Sequence, residues 1–263
     1  MILPKKSLGQ NYLIDKNIIN KIIKQVKIKN KNVLEIGPGT ANLTDEIIKE
    51  KPKSLILIEK DKHLFTALKN KFNDKKNIRL FNADFLKFDL LDNAENNTIV
   101  FGNLPYNISS QILIKLIKST NNLSKFDYFI LMFQKELADK IIAKFKSKNY
   151  GRLSIISSYS LDILGKFNIS KNCFYPKPKV ESTLIIFKPK KKFTIRINKL
   201  ENIEKITNIF FSQKRKMINK AFKKIFTQHE KYAKKLCLQL SLRPSEINEE
   251  KYYKIVKEYE KLT

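Results

Sequence analysis

Metal-binding and cross-linking residues are scarce in this chain. Its 263 residues include two cysteines, Cys173 and Cys237, and two histidines, His63 and His229. Neither pair has the spacing of a metal site, and two thiols make no disulfide framework, so no metal is expected. Long apolar runs are missing too. Stretches such as Tyr128 to Phe133 are far too short to cross a bilayer, and Met1-Ile-Leu-Pro-Lys-Lys-Ser7 lacks the apolar core of a secretory signal. A soluble, cytoplasmic protein with no membrane partner is expected. Acidic residues are outnumbered, with 25 Asp and Glu against 53 Lys and Arg, for a formal net charge of +28. Such an excess favours a polyanionic partner, nucleic acid ahead of an anionic membrane surface, since no exposed helix shows an apolar face for a bilayer. Only Arg79, Arg152, Arg196, Arg215 and Arg243 are arginines, however, and the chain is rich in Lys, Ile and Asn. A compositional drift of a whole proteome therefore also accounts for part of the charge.

The hydrophobic fraction of 42% supports a real core, and the length suits one large domain with a small appendage. Short segments rich in Ile, Leu, Val and Phe recur at 32–36, 54–59, 78–83, 98–103, 127–133, 153–158 and 182–188. Such runs read as strands buried on both faces. Helical patterns lie between them at 42–49, 62–72, 109–118 and 134–145, and another at 16–26 precedes the first strand. The alternation predicts an α/β fold, a doubly wound sheet of seven strands suited to a nucleotide-type cofactor. A basic, proline-interrupted linker, Lys188-Pro-Lys-Lys-Lys192, closes the pattern, after which 200–226, 230–240 and 244–262 read as helical. The expected division is a cofactor-binding domain over 1–190 and an all-α domain over 191–263.

Ligand-type residues sit at the carboxyl ends of successive strands. Val33-Leu-Glu-Ile-Gly-Pro-Gly-Thr40 reads as a strand and a glycine turn leading into a helix, and Gly37 and Gly39 let the backbone approach a ligand closely. Glu59, 20 residues beyond Gly39, ends the next strand, where a carboxylate can accept both hydroxyls of a ribose. Asn82-Ala-Asp84 ends the third, and Asp84 can accept from an adenine amino group. Each feature alone has a bland reading, a tight turn or a solvated strand-end charge; jointly they are far more specific. No GxxxxGK[ST] phosphate loop is present, and the third glycine of a dinucleotide fingerprint is missing. A cofactor with ribose and adenine but no pyrophosphate fits best: S-adenosylmethionine.

The fourth strand end carries Phe101-Gly-Asn-Leu-Pro-Tyr-Asn-Ile-Ser-Ser110. Asn103 offers a side-chain carbonyl, Leu104 a backbone carbonyl and Tyr106 a flat face, with Pro105 stiffening the turn. Two acceptors beside an aromatic wall suit an exocyclic amino group on a stacked ring.

With these motifs assembled, the chain closely resembles the ribosomal RNA adenine N6-dimethyltransferases, and more narrowly their small-subunit, kasugamycin-sensitivity branch. The markers are Leu8-Gly-Gln-Asn-Tyr-Leu13, Glu35-Ile-Gly-Pro-Gly39, Ile58-Glu-Lys-Asp61, Asn82-Ala-Asp84, Asn103-Leu-Pro-Tyr106, Phe174-Tyr-Pro-Lys-Pro-Lys-Val180 and Phe211-Ser-Gln-Lys-Arg-Lys216, and they cover nearly the whole chain. The resemblance implies a class I S-adenosylmethionine-dependent methyltransferase fold, with a Rossmann-like seven-stranded sheet and a helical, RNA-binding C-terminal domain. It implies transfer of methyl groups to N6 of two adjacent adenosines in the 3′-terminal hairpin of small-subunit (16S) rRNA during ribosome assembly, by a monomer acting on the pre-30S particle. Cofactor contacts are implied for Asn11, Leu13, Gly37, Glu59, Asp84 and Asn103. Asn11 and Leu13 precede the first strand and follow from the resemblance alone, as does the expectation that the helix at 16–26 folds over the cofactor. Ala41 stands where many members have Gly.

The expected chemistry assigns Asn103 and Leu104 the two N–H bonds of the target amine, and Tyr106 and Phe174 the two faces of its ring; ordinary core packing is the alternative for both aromatics. Lys214, Arg215, Lys216, Lys220, Lys223 and Lys224 cluster on the second half of the helical stretch 203–226, whose buried stripe is read as Ile206, Ile209, Phe210, Met217, Ala221 and Phe222. Arg215, Lys216 and Lys220 are expected to meet RNA phosphates rather than serve only as solvated helix charges. Two rivals stand beside this reading: the sister branch that methylates large-subunit rRNA, and a non-catalytic RNA-binding assembly or transcription factor that kept the fold. DNA adenine methylation is a weaker third.

Overall fold

The structure, a computed structural model, describes residues 4–5, 9–120 and 125–262; Leu8 of the first marker lies outside them. A two-residue strand, β1 (Tyr12–Leu13), and helix α1 (Lys16–Ile23) come first. Asp15 caps α1 by accepting from the Asn17 and Ile18 amides. Five parallel strands follow: β2 (Asn32–Ile36), β3 (Ser54–Glu59), β4 (Ile78–Asn82), β5 (Thr98–Asn103) and β6 (Phe126–Gln134). Between them lie α2 (Asn42–Lys49), α3 (Lys62–Lys71), the short α4 (Leu90–Asn93) and α5 (Ser109–Ser119).

The sheet order is β4-β3-β2-β5-β6, continued by two strands yet to be named. Strand order reverses between β2 and β5, which opens a crevice beyond their carboxyl ends. Val33, Leu34, Leu55, Leu57, Ile99, Val100 and Phe101 are inaccessible, as the continuous apolar runs require of a sheet covered on both faces. The class I methyltransferase architecture expected from sequence is the one observed.

The seventh strand is not the expected one. Residues 153–158 lie within a helix, α7 (Arg152–Ser160), which follows α6 (Lys135–Ile141). A short apolar run does not by itself separate a buried strand from a buried helix. Here the Ser154 hydroxyl decides locally, accepting from the Gly151 amide and donating to the Gly151 carbonyl at the first turn. The sheet is completed by β7 (Leu161–Ile169), a largely exposed edge strand, and by β9 (Ser182–Pro189), which runs antiparallel to β6 and lies between β6 and β7. The two-residue β8 (Phe174–Tyr175) pairs with β1 in a separate ribbon.

The chain forms two compact units, one of Met1–Ala138 with Asp162–Pro189, the other of Asp139–Leu161 with Lys190–Thr263. The sequence reading placed a single boundary at 190; because α7 is a helix and not a strand, its segment groups with the helices that follow. These are α8 (Leu200–Phe211), α9 (Asn219–Lys223), α10 (His229–Lys235) and α11 (Glu249–Glu260). Helices α7, α8 and α11 pack together, around aromatic contacts such as Phe210 with Phe222 and Tyr252. The stretch read as one helix over 200–226 breaks between Phe211 and Asn219, where Ser212 to Met217 are all exposed. Five polar side chains there leave nothing to bury, and Met217, expected in the buried stripe, is 59% exposed. Among the described residues no helix is long and apolar enough to cross a membrane, and no cluster of His, Cys, Asp and Glu is placed to hold a metal.

Candidate active site

A cleft opens at the carboxyl ends of β2, β3, β4 and β5. It encloses about 940 Å³, counting the part open to solvent. Asn11, Gly37, Glu59, Asp84, Asn103, Leu104 and Tyr106 all line it. Leu13 lines a smaller adjoining cavity that shares Gly37 and Asn103 with the first. Helix α1 contributes nothing to the lining, contrary to expectation, because Ile19, Ile22 and Ile23 turn into the core. The segment just before it, Gly9–Tyr12, lies along the cleft instead.

Asn103 is the best-defined member. Its side-chain amide donates to the Asn11 carbonyl over 2.7 Å. Only the NH2 group can make that bond, so the amide orientation is fixed and Oδ1 is left without a donor among the described residues. The turn that follows is built by close approach. A Cβ on Gly102 would lie 2.6 Å from the Leu104 side chain, so glycine lets Leu104 fold back to 2% exposure and anchor the turn. The Ile108 amide donates to the Pro105 carbonyl. The Tyr106 hydroxyl shares a 2.6 Å hydrogen bond with Ser182 at the start of β9, which tethers the ring to the sheet. Burial raises the pKa of that phenol above its ordinary value.

The carboxylates are held differently from one another. Glu59, 5% exposed, accepts from the Gly39 and Asp61 amides at 3.1 and 2.8 Å. Burial raises its pKa, and those two amides work in the opposite direction. One lone pair on each oxygen stays unused by these bonds. Asp84 is partly exposed; the Lys60 ammonium 2.8 Å away holds its pKa below the usual range. Gly37 has a φ of +68°, and a Cβ there would meet nothing within 4 Å, so its open side is free for a ligand.

Phe174 is not brought to this cleft. It is 3% exposed and packs in the core with Leu13, its partner across the β1–β8 ribbon. Sequence reasoning missed Tyr12, Lys60 and Gln10 as lining residues. The Tyr12 hydroxyl donates to the Gln10 side chain, and the Gln10 amide reaches Asp61; a tyrosine ahead of the first sheet strand carries no periodic signal that would have revealed this. Arg215, Lys216 and Lys220 lie in the second unit and are exposed.

Residues 2–261 match the family model described as ribosomal RNA adenine dimethylase. The chain belongs to that family. Among curated relatives it is 47% identical over 258 residues to "Ribosomal RNA small subunit methyltransferase A" of Pelagibacter ubique, covering 98% of this chain and 97% of the relative. It is 45% identical to the protein of the same name from Mycoplasmopsis synoviae, over 81% of this chain and 80% of that one. A solved dimethyladenosine transferase from Plasmodium falciparum superposes with a TM-score of 0.77 at 26% identity, over 95% of this chain and 97% of that one. The fold is shared as well with the 23S rRNA methyltransferase ErmE, TM-score 0.66 at 21% identity over 94% and 98% of the two chains. Enzymes of the rRNA adenine dimethylase family take their methyl groups from S-adenosylmethionine, and the cleft fits that cofactor: open backbone at Gly37, spare acceptors on Glu59 and Asp84, and Asn103 Oδ1 beside them.

Proposed function

We propose that this protein transfers methyl groups from S-adenosylmethionine to N6 of two adjacent adenosines in the 3′-terminal hairpin of small-subunit rRNA. The observation that carries the reading is at Asn103, which lines the cleft with Gly37, Glu59 and Asp84 and whose amide nitrogen is engaged by the Asn11 carbonyl, leaving its oxygen without a donor among the described residues. Relatives at 47% and 45% identity are named small-subunit enzymes, which favours that substrate over large-subunit rRNA.

The bound cofactor supplies an electrophilic methyl group on a sulfonium sulfur. Glu59 and Asp84 supply acceptors for ribose hydroxyls and an adenine amine. Adenine N6 is a poor nucleophile while its lone pair is delocalised into the ring. Accepting its two N–H bonds, the Asn103 oxygen and the Leu104 carbonyl favour a pyramidal nitrogen and stabilise the positive charge that develops as the N–C bond forms. Holding the amine in attack geometry supplies much of the remainder. The proton then leaves N6 for water. After the first transfer one N–H remains, and one of the two oxygens accepts it during the second. Tyr106 provides one wall for a base taken out of its stack. Phe174, buried in this structure, provides a second only if the ribbon exposes its ring. Arg215, Lys216 and Lys220 contact RNA phosphates, and the enzyme works in the cytoplasm as a monomer on pre-30S particles.

Mass spectrometry of rRNA from cells with and without the protein tests the reading. The two N6,N6-dimethyladenosines of small-subunit rRNA are expected to vanish with it; their persistence refutes the assignment.

A further inference from the structure

The β1–β8 ribbon leaves one aromatic residue half exposed. Tyr12 pairs with Tyr175 and Leu13 with Phe174. Directly opposed residues of an antiparallel pair project to the same face. Leu13 and Phe174 take the core face. Tyr12 and Tyr175 therefore share the other, and Tyr12 lines the donor cleft. Tyr12 is almost fully covered, whereas Tyr175 is 50% exposed. The ladder continues through the Ile14 amide, which donates to the Cys173 carbonyl, and Ile14 is also 50% exposed. The loop is braced at its base: the Glu181 carboxylate accepts from the Lys171 amide, and the Glu181 carbonyl accepts from the Lys135 amide. Lys177 and Lys179 are exposed on it.

A braced loop that presents a flat ring, with cations two and four residues on, in a chain of +28, has the makings of a stacking surface for a nucleic-acid base. We infer that Tyr175 stacks on the RNA nucleotide next to the target adenine, with Lys177 and Lys179 meeting the adjoining phosphates. The inference rests on the proposed rRNA substrate and adds a contact outside the reacting base. Tyr175 is a positioning residue: it holds the flanking nucleotide unstacked from the target and so defines which adenine enters the cleft.

The test uses a hairpin RNA in which 2-aminopurine replaces one neighbour of the target adenine, with the 5′ and 3′ neighbours probed separately. Wild type and Tyr175→Phe should quench the fluorescence of one probe on binding, and Tyr175→Ala and Tyr175→Leu should not. The KM for RNA should rise about tenfold in the Ala variant, with kcat and cofactor affinity within twofold of wild type, and Phe should restore it. Tyr175→Leu keeps an apolar side chain of similar size and decides the question if Ala destabilises the ribbon. Equal quenching by wild type and Leu, or an unchanged KM in both, overturns the inference, including in favour of a protein partner for this face. Failure of the wild type to methylate any rRNA adenine would instead overturn the proposed function, while the quenching comparison, which needs no turnover, still reports on Tyr175.

Discussion

The cleft of the first unit and the basic segment between α8 and α9 of the second handle charge in opposite ways. Around the cleft most ionisable groups are acidic, and three of them are hidden. Glu35, Glu59 and Asp61 are each 5% exposed or less, and each is satisfied at hydrogen-bond distance: Glu35 by the Thr44 hydroxyl, Glu59 by two amides, Asp61 by Lys5. Around residues 214–220 the charges are basic, exposed and, among the described residues, without an ion pair. Buried groups act through geometry and are screened little by salt; exposed groups act through number and are screened strongly. One surface is therefore sensitive to moving a single atom, the other to changing the medium.

The largest effect expected from breaking the geometric side is at Asn103. Asn103→Ala removes the oriented amide oxygen beside the cleft, and turnover should fall by about 10²–10³ while rRNA binding persists. Single-turnover methyl transfer alongside filter binding reads both, and normal dimethylation by the variant sinks the role. Glu59→Gln comes next. A hydrogen bond to a charged group contributes about 1.5–3 kcal/mol, so cofactor affinity should drop roughly 10–150-fold. If geometry is the rule, calorimetry at low and high salt should give the same loss.

The basic side should fail in the opposite manner. Replacing Arg215, Lys216 and Lys220 with Ala should leave cofactor binding alone and weaken RNA binding. The plot of log affinity against log salt should become shallower by roughly 0.7–0.9 for each phosphate that is no longer neutralised. An unchanged slope would mean that these cations merely solubilise their helices.

Legibility from sequence divides along the same line. Gly37, Glu59, Asp84 and Asn103 were readable because each ends a strand whose apolar run is unmistakable, and topology alone carries strand ends to one edge. Asn11 and Leu13 were not, since a segment that only crosses the sheet edge has no period; the resemblance supplied them. Residues 153–158 were misread because Leu, Ile and Ser fit a buried helix as well as a buried strand; the Ser154 bonds at the first turn and the long-range packing of α7 with α8 and α11 together select the helix. The edge strand β7 was hidden by its exposed, mixed pattern and by Gly165.

Glu35 sharpens the contrast from within the cleft region. Burial pushes its pKa up to about 8, so the carboxyl is neutral in the folded protein at neutral pH and ionised when unfolded. Its contribution to stability is complete below about pH 4.5, the ordinary value, and falls as pH rises toward 8, by at most about 1.4 kcal/mol per unit. Glu35→Gln keeps an oxygen for the Thr44 hydroxyl and removes the titration. The variant should melt above wild type at pH 8, with the difference shrinking toward pH 5. A constant difference across that range would show that the side chain is ionised in place.

The smallest effect lies at Ala41. Ala41 sits at φ +69° at the amino end of α2 and is inaccessible to solvent. An L-residue in the left-handed region costs about 1–2 kcal/mol, which Ala41→Gly would relieve. Against that, the substitution removes a buried methyl worth about 0.8 kcal/mol and frees the unfolded chain by about 0.4–1 kcal/mol. The terms nearly cancel, so denaturation midpoints should hardly move. Cofactor affinity should stay within twofold, because Ala41 lies outside the cleft lining. A tenfold gain in affinity would show that the backbone at 41 helps shape the donor site, and that the geometric side of the molecule extends past the strand ends into the first turn of α2.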